Sequence, residues 1–200
     1  MKTKNIILLV VVAAIIIVVA AAGGYFIGKG SGNGTSSTSA YSGNGSARPG
    51  LSDNKASLIA DLEARLKEKP DDQEALYGLA DTYFSMKSFD DAVKYYKKLL
   101  TVAPENTDVY NDLGLSLHYL GKSEESVKYL NDGIKKNPYN QRIWLTKGFV
   151  LAYGIGDLDA AGEAWKKARG IDPASGVGKA ADNYLAQINK TAAGEKKADK

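Results

Sequence analysis

Cysteine is missing from all 200 residues, so no disulfide staples the chain and no thiolate zinc site can be built in it. Histidine occurs once, as His118, which excludes a multi-histidine metal centre. Ser116 and Ser123 lie near it, but no acid–histidine–serine spacing follows. No catalytic residue, metal or cofactor is therefore expected. Net charge of one sign is also scarce in the main body. Residues 51–190 hold 19 Lys and Arg against 21 Asp and Glu, a net of −2, whereas the first fifty residues contribute +4 and the last ten +1. The basic overall balance thus sits at the ends and gives no footprint for nucleic acid. The pairs Asp71–Asp72, Asp90–Asp91 and Glu124–Glu125 precede or open helices, where they complement the helix dipole.

Proline is sparse, and its placement is regular. Four of the five prolines, Pro70, Pro104, Pro138 and Pro173, are spaced 34, 34 and 35 residues apart. Within each interval the same pattern returns. The first unit has Leu76-x2-Leu79-Ala80-x2-Tyr83 and then Ala92-x3-Tyr96. The second has Tyr110-x2-Leu113-Gly114-x2-Leu117 and then Ser126-x3-Leu130. The third has Trp144-x2-Lys147-Gly148-x2-Leu151 and then Ala161-x3-Trp165. Each half of a unit places its large residues on one side of a 3.6-residue helix. The small residue, Ala80, Gly114 or Gly148, lets the second helix come close. Proline ends the unit because it cannot continue a helix. The third unit departs twice. Lys147 stands at the leucine position, and Ala152-Tyr-Gly-Ile-Gly156 carries one extra residue, which suggests a looser turn.

A fixed period of this size, with these residues, is similar to the tetratricopeptide repeat. The resemblance implies an all-α, right-handed superhelix of stacked helical hairpins, with repeats at about 73–106, 107–140 and 141–175 in a domain over 53–190. From about Lys55 to Lys69, Leu58, Ile59, Leu62 and Leu66 share a face behind a capping Ser52-Asp53-Asn54. That helix reads as a half-repeat covering one end of the stack. Val177, Ala181, Tyr184, Leu185 and Ile188 mark a capping helix over 176–189, with Lys179, Asp182, Asn183 and Gln187 outward. Residues 191–200 read as a charged, disordered tail.

The start of the chain differs in kind. Residues 6–27 hold no charge and are dominated by Ile, Val and Ala. At 1.5 Å per residue they cover roughly 33 Å, enough for a bilayer core of about 30 Å. Lys2 and Lys4, in the five residues before them, favour a cytoplasmic N-terminus, with everything after the span exported. A competing reading is a signal peptide cleaved after Ala22; both export the repeats. Residues 28–52, rich in Gly, Ser, Thr and Asn, read as a flexible tether.

The first helix of each unit has a second side. By spacing and by resemblance it lines the concave surface with Glu74, Tyr77, Asp81, Phe84 and Ser85, then Asp108, Asn111, Leu115, His118 and Tyr119, then Arg142, Leu145, Phe149, Ala152 and Tyr153. Tyr77, Phe84, Leu115, Tyr119, Leu145, Phe149 and Tyr153 make this strip apolar, the mark of an interaction site. The expected ligand is an extended peptide or amphipathic helix of a protein partner, oriented by Arg142 and Asn111. Tyr77 and Asp81 occupy the places where carboxylate-binding tetratricopeptide domains carry Lys and Asn, so a carboxylate clamp is not expected. Self-association through the same strip is the alternative.

Overall fold

The computed structural model describes the backbone of residues 50–198 and the side chains of 54–190. The expected membrane span at 6–27 and the tether up to residue 49 lie outside these residues. Among the described residues no helix is long and apolar enough to cross a membrane.

Those residues form eight α-helices and no strand. They are α1 (Gly50–Glu68), α2 (Gln73–Ser85), α3 (Phe89–Val102), α4 (Thr107–Tyr119), α5 (Ser123–Lys136), α6 (Gln141–Val150), α7 (Leu158–Ile171) and α8 (Gly176–Ala198). Consecutive helices pack as antiparallel hairpins, and α2, α4 and α6 are the first helices of the three units. Their starts are set by short polar side chains at one period. Asp72, Asn106 and Asn140 each accept from a backbone N–H of the following turn, and Asp157 and Ser175 do the same for α7 and α8.

Two boundaries differ from the sequence reading. Helix α1 begins at Gly50, so Ser52, Asp53 and Asn54 lie inside its first turns rather than ahead of it. Helix α8 runs to Ala198, through much of the stretch expected as a tail. Two side chains also differ. Leu58 is exposed, leaving Ile59, Leu62 and Leu66 as the packed face of α1, and Gln187 is half-buried instead of outward.

The core follows the repeat. Leu76, Leu79, Ala80, Ala92, Tyr96, Leu99, Leu113, Leu117, Leu130, Ala161 and Trp165 are all buried. The small residues earn their place by contact distance. A Cβ on Gly114 would stand 2.7 Å from the Leu130 side chain, and one on Gly148 would stand 2.3 Å from Trp165 Nε1. The Ser126 hydroxyl, buried at the crossing of α5 with α4, donates to the Gly114 carbonyl at 2.6 Å. Lys147, in place of a core leucine, is half-buried with its ammonium 5.2 Å from the centre of the Trp144 ring, and burial lowers its pKa.

Each turn between paired helices passes through a left-handed residue, and these also recur at the period: Lys87 (φ 62°), Gly121 (φ 74°) and Gly156 (φ 86°). The extra residue of the third unit does not loosen this turn. It widens the end of α6 into a π-turn, Leu151–Ile155, in which the amides of Gly156 and Asp157 both donate to the Leu151 carbonyl. Gly154 in that turn passes so close that a Cβ would meet Ser123 Oγ at 2.2 Å and His118 Nδ1 at 2.8 Å. Of the three turn residues only Lys87 carries a side chain against the left-handed preference. Lys87→Gly should therefore raise stability by about 1 kcal/mol, read as a higher denaturant midpoint at unchanged slope.

Candidate peptide-binding face

The sides of α2, α4 and α6 that do not pack into their own hairpins adjoin one another, and their contacts divide into two bands. At the C-terminal ends the band is aromatic. Phe84 of α2 lies 6.0 Å (ring centroids) from Tyr119 of α4, His118 of α4 lies 5.2 Å from Phe149 of α6, and Phe149 lies 4.9 Å from Tyr153 in the π-turn. His118 and Tyr119 close the gap at 5.6 Å. Rings thus meet edge to face or tilted, without interruption, across three units. Tyr119 remains 43% exposed, and Phe84, His118, Phe149 and Tyr153 are half-buried. Burial raises the hydroxyl pKa of Tyr119, and that of Tyr153 to about 12, and lowers that of His118, which keeps its imidazole neutral at pH 7. His118 Nδ1 lies 3.1 Å from Ser123 Oγ. The His118 ring packs against Tyr119 and Phe149.

At the N-terminal ends the band is polar and centres on Asp112. Its carboxylate accepts from the Tyr77 hydroxyl at 3.0 Å, from Asn111 Nδ2 at 3.0 Å and from Arg142 at 3.3 Å. One side chain therefore ties α2, α4 and α6 together. Burial raises the Asp112 pKa, and Arg142 is the main opposing influence. Arg142 also faces Asp108 at 3.7 Å. Asp81 is exposed, and its charge reaches the hydroxyls of Tyr77 and Tyr96, whose pKa values burial raises.

Several expected face residues are placed otherwise. Asn111 is 3% exposed, tucked against Asp112 rather than free in a groove, and Ala152 is buried in the core beneath α8. Tyr77 leaves the aromatic strip: its ring abuts Tyr96 at 6.1 Å and its hydroxyl belongs to the polar band. Leu145 and Tyr153 pack in part on the cluster around Trp165, where Tyr184 of α8 stacks on the Trp165 ring at 4.7 Å and touches Tyr153 at 6.5 Å. Leu115 stays half-buried on α4 between the bands. Glu74 is drawn away to Arg65 at 2.8 Å, which also holds Asp72. Three residues of the face were not expected there: Asp112, Phe89, which stacks on Tyr119 at 4.9 Å, and Tyr184. Asp112 was hidden because neighbouring helices touch on a diagonal, so that Tyr77 meets a residue 35 positions on and Asp112 one 30 positions on. Among the described residues no group of three metal-binding side chains converges.

The dependence of Asp112 on Arg142 can be measured. Arg142→Ala should cost about 1–2 kcal/mol at neutral pH by leaving a mostly buried carboxylate without its cation. Losing the cation raises the folded-state pKa of Asp112 further. A raised carboxyl pKa disfavours the fold above it, so the loss should be full at neutral pH and shrink as the pH falls toward the titration of the carboxyl.

Family models of the tetratricopeptide repeat match residues 74–106 and 107–140. Anaphase-promoting complex subunit 6 of Dictyostelium discoideum is 30% identical over 59 residues, 30% of this chain, and the match spans only 7% of that protein. The crystal structure of MamA has a TM-score of 0.56 at 22% identity, over 74% of this chain and 95% of MamA. The TPR2B domain of yeast Sti1, in a complex with pHsp70, has a TM-score of 0.56 at 21% identity, over 60% of this chain and 97% of the domain. At these identities the structures speak for the fold alone. The described part of this chain has a tetratricopeptide-like helical superhelix fold, and residues 74–140 match tetratricopeptide repeat models twice in tandem.

Proposed function

We propose that this protein is a membrane-tethered scaffold, exported from the cytoplasm, that holds a segment of a partner protein on the concave face of its repeats during assembly or maturation at the envelope. The observation that carries the binding role is the unbroken run of rings from Phe84 to Tyr153 across three helices. Aromatic side chains give large contact area at low entropic cost, and such a band with an exposed Tyr119 favours a protein ligand. The yeast Sti1 domain, solved with pHsp70, is a case of this architecture carrying a partner. The tether rests on the uncharged residues 6–27 and on Lys2 and Lys4 before them. No enzymatic activity is proposed.

The test is affinity capture by the full chain in its host's membranes, comparing the native protein with Phe84→Ala combined with Phe149→Ala. The variant should lose the captured partner while keeping its helical circular dichroism. Undiminished capture by a folded variant would end this reading, and capture of nothing except further copies of the chain would favour self-association.

A further inference from the structure

The polar band has a sign. Among the described residues Asp81, Asp108 and Asp112 border it with Arg142, a net of −2 at neutral pH, while Lys55 is held on Ser85 at 3.0 Å, one turn beyond Asp81. Glu74 is already occupied by Arg65. A carboxylate-bearing ligand would meet this band with repulsion. A second observation points to a donor. Asn111 Oδ1 is buried and has no hydrogen-bond partner among the described residues, while its Nδ2 is fixed on the Asp112 carboxylate. A buried acceptor left unpaired is costly, and a donor from a ligand would satisfy it.

The two bands also have a fixed separation. On α2 Tyr77 and Phe84 are seven residues apart, as are Asp112 and Tyr119 on α4, and Arg142 and Phe149 on α6. At 1.5 Å rise per residue that is about 10 Å on every helix. An extended chain covers the same distance in about three residues.

Resting on the peptide-binding role above, we propose that the bound segment is a basic, apolar stretch of a partner protein. In extended form it sets one Lys or Arg against the Asp112 band and, about three residues away, a pair of large apolar side chains on the Phe84–Tyr119–Phe149 rings. The cation meets Asp81 and Asp108, which are exposed. The apolar pair covers Tyr119. The charges choose among ligands, and the rings supply the contact area.

The probes are two labelled peptides of equal length, identical in a Leu-Phe pair, with Lys in one and Glu in the other three residues before it. Both are titrated against the full chain in detergent. The Lys peptide should bind about tenfold more tightly at low salt, with the gap narrowing as salt is added. Asp81→Asn combined with Asp108→Asn should abolish most of that preference, whereas Phe84→Ala combined with Phe149→Ala should weaken both peptides. Equal binding, or preference for the Glu peptide, would overturn the proposal. So would binding of neither peptide. If partner capture still required Phe84 and Phe149 in that case, the binding face would stand and only the chemistry assigned to its ligand would fall.

Discussion

Gly148→Val should destabilise this protein by more than about 3 kcal/mol, seen as a fall in melting temperature of roughly 10 °C or more. The reason is one crossing. At Gly148 the backbone of α6 lies against the flat of the Trp165 ring, and the first carbon of any side chain would fall 2.3–2.8 Å from three of the indole atoms. Those atoms cannot step aside. Trp165 is fully buried, its Nε1 donates to the Leu145 carbonyl at 3.1 Å, and its other face is stacked on Tyr184. Making room means separating α6 from α7 or turning the indole out of its hydrogen bond. Gly170 on the same hairpin is the control: nothing lies within 4 Å of its missing Cβ, so Gly170→Ala should be neutral or slightly stabilising.

Trp165→Ala should be as damaging, at about 3–5 kcal/mol, by the opposite route. The indole fills the space between α6, α7 and α8, touching the cluster of Leu151, Ala152, Ala161 and Leu185. Its removal leaves a cavity, takes the additional indole donor from the Leu145 carbonyl and takes away the surface on which Tyr184 rests. The two effects are coupled. Gly148→Ala should cost less in a Trp165→Leu background than in the native chain, because the smaller side chain leaves room for the new methyl. Additive costs would mean that Gly148 is constrained by something other than the indole.

That crossing was legible in the sequence. A small residue at the eighth position of the first helix, paired with a large residue in the next helix, recurs as Ala80, Gly114 and Gly148, because close helix approach demands it at the same point of every unit. The period, the prolines and the buried faces were readable for the same reason: each is a local requirement repeated three times. What was not readable is what happens once. The extra residue near Gly154 points to a loose turn, whereas the structure absorbs it as a π-turn, since the amides of Gly156 and Asp157 both stay bonded to the Leu151 carbonyl, five and six residues back. Lys87 takes a left-handed conformation that its sequence gives no hint of; only its register with Gly121 and Gly156 could have revealed it. On the binding face, Phe84, Tyr119, Phe149 and Tyr153 follow from helical spacing, and their ring contacts join them across units. Helical spacing alone points Asn111 outward, whereas it is buried and its neighbour Asp112 faces the adjoining helices. Spacing along one helix cannot report the diagonal by which the next helix meets it.

The central claim is that a partner chain lies along the rings of α2, α4 and α6. The most direct measurement places a photo-crosslinking phenylalanine analogue at Tyr119, which is on the ring band, or at Tyr139, which is 78% exposed on the connection between α5 and α6. Each full-length variant is irradiated in the host's own membranes. Position 119 should give a crosslinked partner and position 139 none, and the adduct should be lost when Phe84→Ala and Phe149→Ala are added. An adduct of equal yield from 139, or one at 119 that survives removal of both phenylalanines, would contradict it.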